Sequence, residues 1–260
     1  MRGLHQVLVV SVAALAIALA AQAAEPWEVP YEGEQAMGPD VIALWQFSPD
    51  GQLKDASGKG HDLKLRGNAR IVEEGRFGPA LEATTEAGGP GETACGALCD
   101  SAPSLTPAGA FCVEAWVKPN RDLGDVERCF IVDKMYVDYK HTNPNTECLK
   151  DYMLLFRGAK EGKARLEAAL GFGDAVLRYS TDALVFGVGE WTHVAFTYDG
   201  AGKGRLYKDG EMVGGTTHEG RGPVTPGGYG LAIGDRFGST YAPFPGLIDQ
   251  VRVQNGLPSG

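Results

Sequence analysis

The sequence predicts an all-β fold: a two-sheet antiparallel jelly-roll sandwich. Short stretches rich in β-branched and aromatic residues recur along the chain with period-two alternation. Turn residues separate these stretches at regular spacing, in a chain that carries 37 Gly and 15 Pro. No long stretch has a helical period, and no repeat of solenoid length is present. The clearest strand pair is Trp191–Tyr198 followed by Arg205–Lys208, Asp209-Gly210 and Glu211–Thr217. Thr192, Val194, Phe196 and Tyr198 share one face, and Trp191, His193, Ala195 and Thr197 the other. Asp-Gly between two strands is a tight-hairpin signal, because Gly accepts positive φ. Trp191, Phe196 and Trp116 are the expected core aromatics.

The chain begins with an export-type leader over residues 1–23: Arg2, the apolar run Val7–Ala20, then Ala21-Gln22-Ala23 as a small-residue cleavage site. Residues 24–40, with three Pro and several acids, read as a flexible acidic linker that Trp27 and Tyr31 are able to pin. Residues 41–256 then form one β-domain, of ordinary size for a sandwich. Val41–Phe47, apolar almost throughout, is its first strand, as expected for a segment buried on both faces. Phe111, Val113, Ala115 and Val117 alternate with Cys112, Glu114 and Trp116 on another. Further strands are expected at Leu63–Leu65, Arg128–Tyr136, Tyr152–Arg157, Ala164–Leu170, Ala175–Ser180, Tyr229–Gly234 and Phe244–Val253.

Trp191-x-His-Val-Ala-x-x-Tyr-Asp-Gly200 followed by Leu206-Tyr-x-Asp-Gly210 resembles the centre of a laminin-G-like, concanavalin A-type lectin/glucanase domain. Arg76-Phe-Gly-Pro-Ala-Leu81, Ala115-Trp-Val-Lys-Pro119 and Gly246-Leu-Ile-Asp-Gln-Val-Arg-Val253 resemble that family's other strand segments. The resemblance runs from Val41 nearly to the end of the chain. It implies the concanavalin A-like jelly roll and one bound Ca²⁺, for which Asp55, Asp62 and Asp249 are the candidate ligands. Asp55 has a second reading, as an acceptor within its own Asp-Ala-Ser-Gly turn, where Lys59 replaces the family's usual Asn.

The formal net charge of −9 argues against nucleic acid or anionic membrane as the partner. After the leader no stretch is apolar enough for stable membrane insertion. The expected location is therefore secreted, periplasmic or extracellular. Catalytic signatures are missing: there is no Gly-x-Ser-x-Gly, His-Glu-x-x-His or phosphate loop, and no Glu is followed two residues later by Asp. Glu114 is the single acid that would revive a glycoside hydrolase.

Function is thus expected to be non-catalytic binding of carbohydrate or of an extracellular or surface protein. The alternatives are a structural domain of an envelope or matrix and, behind it, a divergent hydrolase. The long loops 86–110 and 137–151 reach the same end of the sandwich and are the expected working surface. Tyr136, Tyr139, His141, Asn143 and Tyr241 are the candidate ligand contacts, since flat rings beside polar groups suit sugars. An exported chain favours disulfides, and chain reversal gathers Cys95, Cys99, Cys112 and Cys148 at that end. Two bridges in any of three connectivities are expected there, with Cys129 left as a buried thiol.

Overall fold

A computed structural model describes residues 24–49, 53–84, 94–136, 146–238 and 241–258. The leader and the tips of both long loops, including Tyr139, His141 and Asn143, lie outside the described residues. The first strands are β1 (Val41–Trp45), β2 (Leu63–Leu65), β3 (Arg70–Val72), β4 (Ala80–Glu82) and β5 (Ala97–Cys99). Then come β6 (Phe111–Pro119), β7 (Cys129–Asp133), β8 (Lys150–Gly158), β9 (Lys163–Phe172), β10 (Val176–Ser180) and β11 (Leu184–Val185). The chain closes with β12 (Thr192–Tyr198), β13 (Lys203–Lys208), β14 (Glu211–Thr217), β15 (Leu231–Ile233) and β16 (Gly246–Asn255).

They form two antiparallel sheets. The front sheet runs β14-β13-β12-β6-β16-β4-β3, with β1 also paired to β16. The back sheet runs β10-β9-β8-β7-β15-β5-β2, with β11 on β9. Alternation decides what fills the space between them. Val113, Ala115 and Val117 from β6 and Val194, Phe196 and Tyr198 from β12 point inward. They meet Tyr152, Leu154 and Phe156 of β8 and Leu166, Ala168 and Leu170 of β9. Phe111 touches the rings of Tyr152, Phe196 and Tyr198, so the core is aromatic where the sheets approach.

The central hairpin forms as its turn chemistry requires. Asp209 and Gly210 have φ of 48° and 79°, the paired positive values of a type I′ turn, and Lys208 faces Glu211 across it. Asp209 also clamps the neighbouring strand. Its carboxylate accepts from His193 N, and its own N–H donates to His193 O, both at 2.9 Å.

Two expectations are corrected. Trp191 is not a core residue: it ends just outside β12, half-exposed beneath the Lys118 ammonium. Trp116 is buried, but on the outer face of the front sheet, with Phe77 and Arg76 packed against it. Only Phe196 of the three sits between the sheets.

The expected disulfides among Cys95, Cys99, Cys112 and Cys148 are absent, and all five cysteines are free thiols. Alternation is the reason. Cys112 shares the outer face of the front sheet with Glu114, while Cys99 points into the core from the back sheet. A whole layer separates them, far beyond the about 7 Å between Cα atoms that a bridge tolerates. Cys95 precedes β5 and lies beside Asn68, whereas Cys99 ends β5 opposite Leu63. Cys129 is fully buried in the core.

Candidate ligand-binding site

Residues 24–40 do not hang free of the sandwich. They run along the outer face of the front sheet and cover the middle of it. A one-turn 3₁₀ helix (Pro26–Glu28) carries Trp27, and a short α-helix (Glu34–Met37) follows. Trp27 O accepts the indole N–H of Trp116 at 2.8 Å. Tyr31 is buried, and its carbonyl accepts from Gln46 Nε2 at 2.9 Å. Gln46 Nε2 donates at 3.2 Å to the Gln250 side chain as well.

Beneath this strap lies a cavity of about 620 Å³. Its floor is the outward row of the central strands: Cys112 and Glu114 from β6, and His193, Ala195 and Thr197 from β12. Its walls are Trp27, Tyr31, Tyr207 and Arg252, with Leu257 and Pro258 from the chain end. The size and the mixture of aromatic walls with a few polar groups are those of a small-molecule site.

A β-bulge builds the polar part. In β16 the register slips between Asp249 and Arg252, and Gln250 takes φ 50°. Ile248 faces the core, so strict alternation would send Arg252 inward as well. The extra residue resets the phase: Val251 and Val253 face the core, and Arg252 turns out opposite Glu114. Arg252 Nε donates to Glu114 Oε1 at 2.6 Å. Its Nη1 donates to Gln35 O at 3.0 Å, and its guanidinium lies 3.8 Å from the centre of the Tyr31 ring.

The other carboxylate oxygen of Glu114 is 3.1 Å from His193 Nε2. Burial alone would raise the Glu114 pKa. The His193 hydrogen bond and the Arg252 charge outweigh it, and the carboxyl is pulled down to about 2. An ionised carboxylate only accepts, so Nε2 carries the hydrogen. In the neutral imidazole Nδ1 is then a bare acceptor. That atom is enclosed and has no hydrogen-bond partner. Trp27 stacks on the same ring at 5.7 Å. The Tyr31 hydroxyl is likewise enclosed without a partner in hydrogen-bonding geometry, close to Glu114, and burial and then the Glu114 charge raise its pKa well above the ordinary value.

Of the candidate residues from the sequence, the two that are described, Tyr136 and Tyr241, fall elsewhere. Tyr136 stacks on Tyr229 at 4.2 Å and touches Phe237, beside β15 on the back sheet. Tyr241 lies under the Arg66 guanidinium at 5.7 Å. Neither lines the cavity. The two long loops do converge: Thr106 donates to Asp151, and Tyr152 Oη donates to Leu105 O at 2.9 Å.

The acids considered as Ca²⁺ ligands are occupied by donors of the chain. Asp55 Oδ1 accepts from Leu44 N, Ser57 N and Ser57 Oγ, and Oδ2 from His61 N. Asp62 accepts from Asp55 N and Lys54. Asp249 accepts from Arg76 N, Phe77 N and Gln250 N. Among the described residues no three His, Cys, Asp or Glu are grouped to hold a metal ion. Asp55 thus shows the turn-organising arrangement that its spacing allowed.

The fold and cavity define a class: a jelly-roll sandwich whose covered sheet face holds a concave, partly aromatic site. Residues 93–259 match the family model described as the concanavalin A-like lectin/glucanases superfamily, a laminin G family, and the chain belongs to it. No curated protein sequence matches. Among solved structures, domain 4 of AbnA, an extracellular GH43 arabinanase from Geobacillus stearothermophilus in complex with arabinotriose, is similar. It is 19% identical with a TM-score of 0.57, over 84% of this chain and 93% of that one. The botulinum neurotoxin serotype C1 binding domain is 10% identical with a TM-score of 0.60, over 85% of this chain and 50% of that one. The binding domain of Paraclostridial Mosquitocidal Protein 1 is 16% identical with a TM-score of 0.57, over 84% and 49%. This chain therefore spans about half of each of the two toxin-domain chains. At these identities the likeness is one of fold. Among the described residues no helix is long and apolar enough to cross a membrane.

Proposed function

We propose that the protein is an exported, non-catalytic binding domain that recognises carbohydrate in the cavity under the 24–40 strap. The observation that carries this reading is the cavity itself, with aromatic side chains in its walls and a buried acceptor, His193 Nδ1, that nothing in the chain satisfies. Leaving a buried polar atom unpaired costs about 1–3 kcal/mol, so a site that keeps one gains when a ligand completes it. The similar arabinanase domain was solved with arabinotriose, and another similar structure concerns a botulinum neurotoxin type C whose cell entry depends on two ganglioside molecules.

Binding rather than hydrolysis is favoured by the state of Glu114. A general acid needs a raised pKa, and this carboxyl is held at about 2 by Arg252 and His193. Retaining hydrolysis also needs a second carboxyl about 5–5.5 Å away, and the other acid lining the cavity, Glu25, is exposed on the strap. Export rests on the leader-like residues 1–23. A glycan-array screen of the purified full chain beside Trp27→Ala tests the reading. Retention of defined sugars by the first and loss by the second is expected. Equal retention by both moves the site, and release of reducing sugar abolished by Glu114→Gln makes the protein a hydrolase.

A further inference from the structure

We infer that the cavity selects an uncharged sugar ring, held by a hydroxyl that donates to His193 Nδ1, and that it excludes carboxylated sugars. This rests on the carbohydrate reading and goes further by fixing the ligand's charge and its anchoring group.

The lining of the cavity sets the charge that a ligand meets. Among the described residues Arg252 is the one Arg or Lys side chain that lines it. It is fully committed: two of its nitrogens face Glu114, the third meets Gln35 O, and Tyr31 covers its plane. A guanidinium held this way has no free fork with which to clamp a ligand carboxylate. Glu114 is ionised at neutral pH, and Glu25 adds a second negative charge at the rim. An anionic ligand would meet two carboxylates against one guanidinium that is already paired. The chain as a whole, at −9, adds to that repulsion.

The His193 ring sets the anchoring group. Nε2 faces Glu114, which leaves Nδ1 as the unmatched atom of the ring, and in the tautomer with its hydrogen on Nε2 that atom is a lone pair. A lone pair needs a donor. A sugar hydroxyl is a donor that brings no charge, and its ring supplies an apolar face for Trp27 or Tyr207. A carboxylate group brings only acceptors and cannot take that place, and on a carboxylated sugar it would enter a cavity that Glu114 and Glu25 line.

The test is calorimetric titration of the full chain with matched probes: galactotriose against trigalacturonate, lactose against sialyllactose, and arabinotriose and cellotriose as further neutral chains. The neutral member of a bound pair is expected to bind at least about tenfold more tightly than its carboxylated partner. His193→Phe keeps a flat ring under Trp27 and removes Nδ1, and it is expected to weaken the neutral probe by about tenfold or more. Glu25→Gln removes the rim charge, keeps an acceptor for the capped turn Pro26–Glu28, and is expected to narrow the gap between partners. Equal affinity for both members of a pair, or wild-type affinity in His193→Phe, would overturn the inference and leave the carbohydrate reading standing. Failure of every probe to bind would sink both.

Discussion

Trp27 lies flat on the imidazole of His193, ring centres 5.7 Å apart and planes 15° apart, and Gly210 makes this stacking possible. A Cβ on Gly210 would fall 2.2 Å from Trp27 Cζ2. The hairpin turn therefore has two physical demands on one residue: a φ of 79° and an empty side for the strap.

Gly210→Ala is accordingly expected to do more than strain a turn. Positive φ alone costs about 1 kcal/mol for a residue with a Cβ. The displaced indole adds its lost packing, and tryptophan emission shifts to the red as Trp27 enters water. Denaturant melts and fluorescence on the same samples check both. An unchanged spectrum would mean that the strap is not seated on the turn.

Removal of the Glu114 carboxylate is expected to be among the costlier single changes in the protein. Glu114→Ala leaves Arg252 buried and unpaired, and breaking such a pair typically costs about 3–5 kcal/mol. The double change Glu114→Leu with Arg252→Met removes both charges, and recovery of much of that loss is expected. Urea melts of the three proteins decide it. No recovery in the double variant would show that packing, not the stranded charge, sets the loss.

Two carboxyls give opposite pH dependences. The Glu114 pKa falls from 4.5 to about 2 on folding, so its contribution is full above about pH 4.5 and is lost as pH falls toward 2. Asp249 moves the other way. Burial lifts it from 3.8 to about 6, against the backbone N–H groups of Phe77, Gln250 and Arg76. The unfolded chain then releases that proton first, and stability declines as pH rises from 3.8 toward 6, by on the order of 3 kcal/mol if nothing else titrates. Asp249→Asn cannot titrate, so its melts between pH 4 and 6 should lack that decline. Parallel curves for variant and wild type across this window would contradict the assignment.

The cysteines give a countable outcome. Titration of thiols in denaturant without reductant should find all five. Three or one would mean that bridges form after all and that the facing given to these cysteines is wrong.

Phe196 and Trp191 test the inward and outward rows of β12. Phe196→Ala should cost about 3–5 kcal/mol, as for a buried aromatic. Trp191→Ala should cost well under half of that, since its ring is half-buried at the end of β12, beneath the Lys118 ammonium.

What was legible in the sequence follows from how local each signal is. The alternation of Phe111–Val117 and of Thr192–Tyr198 announced both strands and their faces, because period two needs only a few residues to show. Asp209-Gly210 announced its turn for the same reason. The strands of three residues or fewer, such as β3, β4 and β5, are too short to carry a period, and pairing holds them in place: β4 on β16, β3 on β4, and β5 between β2 and β15. The site was legible only in fragments. Glu114 and Trp116 stood out on the outward row, and Trp27 and Tyr31 as aromatics in an acidic segment, but nothing in the sequence brings residue 27 onto residue 193. Arg252 was hidden by the bulge at Gln250, which reverses the apparent facing of the last strand. The disulfide expectation failed for a reason already present in the pattern: Cys112 alternates with Val113 and so faces away from the core.

The most direct test of the cavity as the binding site is the set of indole N–H signals in a nitrogen-edited NMR titration. The chain has four tryptophans, each identifiable by substitution, and they sample different places. Trp27 lines the cavity and Trp116 is bonded to its carbonyl, whereas Trp45 is sealed in the core and Trp191 sits outside the site. With the neutral sugar bound most tightly in the calorimetric titrations, the Trp27 and Trp116 signals should move together and saturably while those of Trp45 and Trp191 stay in place. A saturable response that leaves Trp27 and Trp116 unmoved would place recognition elsewhere and contradict the account.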